Sequence, residues 1–133
     1  MPELASLMRA GDADHATVAL CLDVGHQCVP GSSGADADPY AWLRQMGHRA
    51  AVVHLQQSDA HGDHHWPFTS RYNGRGRIVP GRVLDALAAS GTDDVALVLE
   101  IIPSFEADDA LVLNELRESV LYWQQALRDH GHV

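Results

Sequence analysis

Apolar residues fall along this chain in two alternating rhythms. Leu4, Leu7 and Met8 recur at helical spacing, and Gly11 stops that opening helix. Thr17 to Asp23 is a strand-like apolar run closed by Gly25. Pro30-Gly31-Ser32-Ser33-Gly34 is loop by composition, and Asp38-Pro39 has the form of an N-cap followed by proline at the first helical position. Trp42, Leu43 and Met46 supply the buried side of that helix, which Gly47 ends, and Ala51 to Gln56 is a second strand. The polar stretch from Gln57 to Val79 is long for a connection in a compact domain, a feature of functional loops. Pro80 starts a helix with Val83, Leu84 and Leu87 on its apolar face, closed by Gly91. Val95 to Ile101 is a third strand, and Leu113, Leu116, Val120, Trp123 and Leu127 stripe a final helix. The order α-β-α-β-α-β-α predicts an α/β domain: a parallel sheet of three strands with crossover helices, spanning residues 1–133.

Each strand ends in a residue suited to binding a metal: Asp23, His54 and Glu100. Strand side chains alternate between faces, which makes the placement checkable. Asp23 shares its face with Cys21 and Ala19, His54 with Val52 and Gln56, and Glu100 with Val98 and Ala96. All three tips therefore point to one face at the carboxyl ends of the strands, where parallel α/β sheets and barrels keep their active sites. A mixed oxygen and nitrogen set of this kind suits Mn²⁺, Co²⁺, Mg²⁺ or Zn²⁺ better than a soft metal. The bland alternative, strand-end polar groups reaching water, loses ground because the three agree in both rim and face.

Composition narrows the partners. With 133 residues the chain has the size of one domain, and 46% hydrophobic residues supply a core. A net charge of −9 with no Lys opposes nucleic-acid binding, since a phosphate backbone would be repelled. The longest apolar run, Val95 to Ile102, contains Glu100 and falls far short of a membrane span. Met1-Pro2-Glu3 lacks the start of a signal peptide, and Cys21 and Cys28 form neither a disulfide framework nor a tetrahedral zinc set. The expectation is a cytoplasmic, reducing setting.

Nine His exceed structural need. His26, in the turn Asp23-Val24-Gly25-His26, is a candidate for substrate or metal, against the alternative of a surface His. His61, Asp63 and His65 form a His-rich cluster that could hold a metal without catalysis. Arg71, Arg75 and Arg77 flank Asn73-Gly74-Arg75-Gly76, a combination of guanidinium and open backbone amides that suits an anionic oxygen cluster such as phosphate, or is only a solvated loop. His15, His48, His130 and His132 read as surface or tail residues, and Trp42 and Trp123 as core.

Leu20-Cys21-Leu22-Asp23-Val24-Gly25-His26 resembles the sixth-strand signature of the xylose-isomerase-like TIM barrels, a family of sugar and sugar-phosphate isomerases and epimerases with endonuclease IV as a distant member. Val53-His54-Leu55-Gln56-Gln57-Ser58-Asp59 resembles their seventh strand and Leu97-Val98-Leu99-Glu100 their eighth. His65-Trp66-Pro67-Phe68, after the paired glutamines, looks most like the branch that epimerises tetrulose phosphates such as erythrulose 1-phosphate. The resemblance implies a partial, half TIM barrel corresponding to the last strands of a (β/α)8 barrel. It implies a divalent metal held by Asp23, His54 and Glu100, with Glu100 also the acid/base. His26, Gln56, His65, Arg71 and Arg75 would meet a sugar or sugar phosphate. The family chemistry is proton abstraction beside a carbonyl through an enediolate, which a divalent cation stabilises.

Two features depart from that pattern. A barrel of this kind needs eight strands and ~250 residues. The family's fourth metal ligand, a Glu ending the fifth strand that is also the partner acid/base, has no match, because Glu3 precedes a helix. The reading is an epimerase half-barrel that is inactive alone and forms a homo-oligomer or joins an upstream half, leaving Ala19, Cys21, Val52, Ala96 and Val98 uncovered. The alternatives are a non-catalytic metal- or sugar-binding half-barrel, and an endonuclease IV-like metallophosphodiesterase, which Asp63 and His65 favour and the net charge opposes.

Overall fold

The structure, a computed structural model, describes residues 2–12, 16–92 and 94–131. His15 and His132 lie outside the described residues. Helix α1 (Pro2–Gly11) precedes β1 (Leu20–Asp23), α2 (Pro39–Met46) and β2 (Ala50–Leu55). The short α3 (Ser70–Asn73), α4 (Pro80–Ala89), β3 (Ala96–Leu99) and α5 (Asp109–Asp129) follow. β1 and β3 are shorter than the apolar runs that announce them, and β2 keeps its expected length but starts one residue earlier. The three strands are parallel and lie in the order β1-β2-β3. Asp23 pairs with His54, and His54 with Val98.

Local signals set the helix ends. The Asp38 side chain accepts from the Tyr40 N–H with Pro39 in the first turn, as the Asp-Pro pair predicts. Gly91 follows α4 at φ +79, a conformation that suits glycine. Among the described residues no helix is long and apolar enough to cross a membrane.

One face of the sheet is packed and the other is bare. Leu22, Val53 and Leu55 bury against Leu43 and Met46 of α2, Val83 and Leu87 of α4, Phe68, and Trp123 of α5. Burying each such side chain contributes about 1.5–3 kcal/mol, enough to pin register, since a one-residue slip would turn every apolar residue outward. On the opposite face Ala19, Cys21, Ala96 and Val98 are exposed and Val52 is half-buried, as expected for a partial barrel.

Two helix faces differ from expectation. Leu7 is 71% exposed although Met8 is buried, so α1 meets the domain over a narrower arc than its pattern suggests. In the α5 stripe only Trp123 is buried, while Leu113 and Val120 are exposed and Leu116 and Leu127 are half-buried. The periodicity is real, but most of the stripe is left uncovered. Trp42 is half-buried, its indole N–H donating to the Asp36 carbonyl.

Candidate active site

The strand ends converge on the bare face. Asp23 closes β1, His54 is the last residue but one of β2, and Glu100 follows β3 directly, its N–H donating to the Leu55 carbonyl at 2.9 Å. Asp23 Oδ1 accepts from the Gly25 N–H at 2.6 Å and the His26 N–H at 3.1 Å. A short acid at a strand end thus folds the next three residues around itself and aims His26 back over the rim. Burial pushes the Asp23 carboxyl above its ordinary range, and the facing Glu100 adds to this. Hydrogen bonding from Asp23 holds Glu100 below its ordinary range, with the His54 charge helping. The two shifts run in opposite directions because the carboxyls face each other across the strand ends.

His54 Nδ1 lies 3.0 Å from Glu100 Oε2, off the line of a hydrogen bond, so that this buried oxygen has no hydrogen-bond donor. One ligand atom from each of Asp23, His26 and Glu100 lies within 4.8 Å of the others. The donors that come together first are thus two carboxylates and the His26 imidazole, with His54 joined through Glu100. Three oxygen and nitrogen donors around a buried, unpartnered carboxylate oxygen fit a hard or borderline divalent ion. Beside them His26 Nε2 and His65 Nε2 approach Asp63 Oδ2 at 3.3 and 3.5 Å, a second grouping in which His26 stands where the sequence suggested His61. His64 Nε2 pairs instead with Asp59 at 2.9 Å, and His61 is exposed on the loop surface without an ion pair among the described residues.

Two glutamines anchor the long loop, and the sequence reading undervalued both. Gln56, expected at the substrate, is fully buried and sits behind the site. Its Nε2 donates to Asp23 Oδ1 at 3.1 Å, and its Oε1 accepts from Ser58 Oγ at 2.9 Å and the His65 N–H at 2.7 Å. Gln57 bonds Asn73 and both backbone groups of Ile78 through its side chain, while its backbone pairs with Trp66. Gly25 and Gly76 are the signal that could have revealed them. A Cβ at either would fall 2.2 or 2.1 Å from the carboxamide carbon of Gln56 or Gln57.

His65 carries the only positive φ of a non-glycine among the described residues, +50. It is held there by the Gln56 bond, by its carbonyl accepting from the Ile102 N–H, and by Nδ1 at 3.1 Å from the Glu100 carbonyl. Strained backbone of this kind collects at functional sites. Farther along the loop, the Arg75 guanidinium lies 4.2 Å over the Trp66 ring, which itself stacks on His64, and Arg71 lies over Tyr72. A stacked guanidinium keeps its N–H edges free for an anion. Arg77 is committed elsewhere, donating to the Ala37 carbonyl. His48 and His130 are exposed, the latter near Asp85.

Comparison with known proteins gives two matches of note. D-erythrulose 1-phosphate 3-epimerase of Brucella abortus (strain 2308) is 35% identical over 105 residues, 78% of this chain and 34% of that protein. A crystal structure of a candidate xylose isomerase from Rhodospirillum rubrum ATCC 11170 superposes with a TM-score of 0.74 at 31% identity, over 91% of this chain and 40% of that one. The chain therefore spans about a third of the curated relative's length. No protein-family model matches it.

Proposed function

Since this chain belongs to the xylose-isomerase-like family of sugar isomerases and epimerases, as a partial barrel, we propose that it serves a metal-dependent sugar-phosphate epimerase acting by proton abstraction next to a carbonyl. The observation that carries the reading is the buried Asp23 facing Glu100 across the strand ends, with His26 and His54 beside them. Asp23, His54 and Glu100 would hold a divalent ion such as Mn²⁺, Co²⁺, Mg²⁺ or Zn²⁺, with His26 in reach. When bound, that ion supplies a positive charge against the oxyanion that develops on the substrate.

The chain's own groups do the rest. Glu100, kept ionised by its neighbours, takes a proton from the carbon beside the carbonyl and returns it. His26 and His65 meet the substrate from the loops, and Gln56 keeps Asp23 and His65 in place behind them. Arg71 and Arg75 receive the phosphate. Inversion at a carbon needs a carboxylate on each face, and Glu100 provides one. The His26-Asp63-His65 grouping is what a metallophosphodiesterase would use, but the net charge of −9 disfavours a nucleic-acid strand.

The test is deuterium uptake from D₂O at carbon 3 of D-erythrulose 1-phosphate, followed by NMR with Mn²⁺ or Co²⁺ present. The 133-residue chain is measured alone and joined to the amino-terminal part of the Brucella relative. Exchange and epimerisation in the joined protein, lost on Glu100→Gln, support the reading. A joined protein that binds the metal yet exchanges nothing, or exchanges equally with Gln at position 100, overturns it.

A further inference from the structure

Between α5 and the loop that carries α3 lies a cavity of about 300 Å³, and none of Asp23, His26, His54 and Glu100 lines it. Trp66, Tyr72, Ile102 and Leu111 form its walls, with Arg71 on the loop side and Glu115 on the α5 side. Ser104 and Ala107 also line it, and the Ala107 N–H donates to the Ser104 carbonyl at 3.0 Å. That bond closes a turn with Phe105 and Glu106 at its tip. Phe105 is 102% exposed, so its ring finds no cover in its own chain. A large aromatic side chain held in the open beside an apolar cavity is a feature of interfaces.

The charges around the cavity are sorted by side. Arg71 and Arg75 belong to the loop, their guanidiniums lying over Tyr72 and Trp66, and neither holds an ion pair among the described residues. Glu106, Asp109 and Glu115 belong to the other side, and Glu106 is exposed with no ion pair among the described residues. We propose that this face docks a second copy of the chain, with Phe105 of each copy seated in the cavity of the other and Glu106 against the other's Arg71. Knob and hole lie on one patch, so a two-fold axis fills both at once and the contact closes at two copies. The same rotation lays the acidic side of each copy on the arginine side of the other, which steers the encounter and fixes its register. Arg71 presents its N–H donors along more than one edge, so a carboxylate on one edge leaves another for an anion. Two such knobs make a small contact, below the roughly 1,200 Å² of a standard interface, and so a transient one. The surface is separate from the bare sheet face, and the inference goes beyond the epimerase reading without resting on it.

The experiment replaces Phe105 by p-benzoylphenylalanine in the full chain and irradiates an equal mixture of ¹⁵N-labelled and unlabelled copies. Mass spectrometry is expected to find crosslinks of mixed isotope, from position 105 of one copy to the segments of the other that carry Trp66 to Tyr72 or Ile102 to Leu111. Glu106→Arg and Arg71→Glu, each alone, set like charges opposite each other at both contacts, and the mixed-isotope yield should fall at least about tenfold. Mixing the two variants restores an opposite pair at both contacts, so the yield should return. Phe105, Glu106 and Arg71 are all exposed, so these variants keep the fold. Crosslinks confined to one copy, crosslinks to the bare sheet face, or single reversals that leave the yield unchanged overturn the proposal. So does a mixture of the two variants that stays as low as either alone. In the chain joined to the amino-terminal part of the Brucella relative, crosslinks from position 105 to that part alone would make it the occupant and overturn the proposal too.

Discussion

Gly25→Ala isolates the packing at the back of the site. Gly25 has φ −92 and ψ −30, which alanine adopts freely, so no backbone penalty enters. The added methyl would sit 2.2, 2.5 and 2.6 Å from the Gln56 carboxamide atoms, closer than any real contact. Gln56 cannot swing out, because its side chain is fully buried and bonded to Asp23, Ser58 and the His65 backbone. Overpacking costs about 1–3 kcal/mol, and each of the three hydrogen bonds displaced costs about 1 kcal/mol more. Loss of unfolded-state freedom offsets about 0.4–1 kcal/mol. The net destabilisation expected is about 3–5 kcal/mol, a large share of a typical domain's 5–15 kcal/mol.

Gly74 supplies the control. It has φ −68, and a Cβ there meets nothing within 4 Å, so Gly74→Ala should be neutral or stabilising by up to about 1 kcal/mol. Urea unfolding at fixed protein concentration reads both, with the midpoint falling for Gly25→Ala and the slope unchanged. A Gly25→Ala midpoint within the error of wild type would refute the reasoning.

Four further outcomes are expected. His54→Ala should weaken Mn²⁺ or Co²⁺ binding by well over tenfold in calorimetry, and unchanged affinity would remove His54 from the ligand set. Arg71→Ala and Arg75→Ala should cut affinity for a sugar phosphate while leaving that for the free sugar. Arg75→Ala should also alter Trp66 emission, because the guanidinium over the ring is lost. The 133-residue chain should sediment as a dimer or larger species, and Val98→Glu on the bare sheet face should shift it toward monomer, whereas a stable wild-type monomer would contradict an exposed interface. Asp12 is held below its ordinary range by hydrogen bonds from Arg49, so the stability this pair contributes is present above the usual carboxylate pKa and lost as pH falls through the lowered one. Arg49→Gln should flatten that acid limb of an unfolding-versus-pH curve.

The strand ends were legible because each apolar run finishes on a side chain of one chemical kind, and strand alternation alone sends Asp23, His54 and Glu100 to one face. Asp38-Pro39 declared its helix for the same reason, since a local bond is enough to start it. The α5 stripe was misread because periodicity reports an apolar face and says nothing of whether a partner covers it. Leu113 and Val120 look like core in the sequence and are exposed in the fold. In the sequence Gln56 reads as a substrate contact, since a polar residue at a strand end ordinarily meets water, and in the fold it is buried against Asp23. Its burial depends on Gly25 and His65, which the loop brings together only in three dimensions. The approach of His26 to Asp63 was hidden likewise, since each belongs to a different loop.

Because β1, β2 and β3 stand side by side in chain order, the pocket can be built in the direction of synthesis. Each strand docks on one already made, a local topology that keeps loop-closure costs small and folding fast. Translation runs at roughly 5–20 residues per second, so Glu100 leaves the ribosome roughly 2–9 s after His54. During that interval Asp23 and His54 can already be paired, and the Gln56 carboxamide can already be locked behind them. Asp23 then has no carboxylate opposite it, and a nascent chain is spared the repulsion that the finished pocket carries. The electrostatic load arrives with β3, onto a floor that has already set.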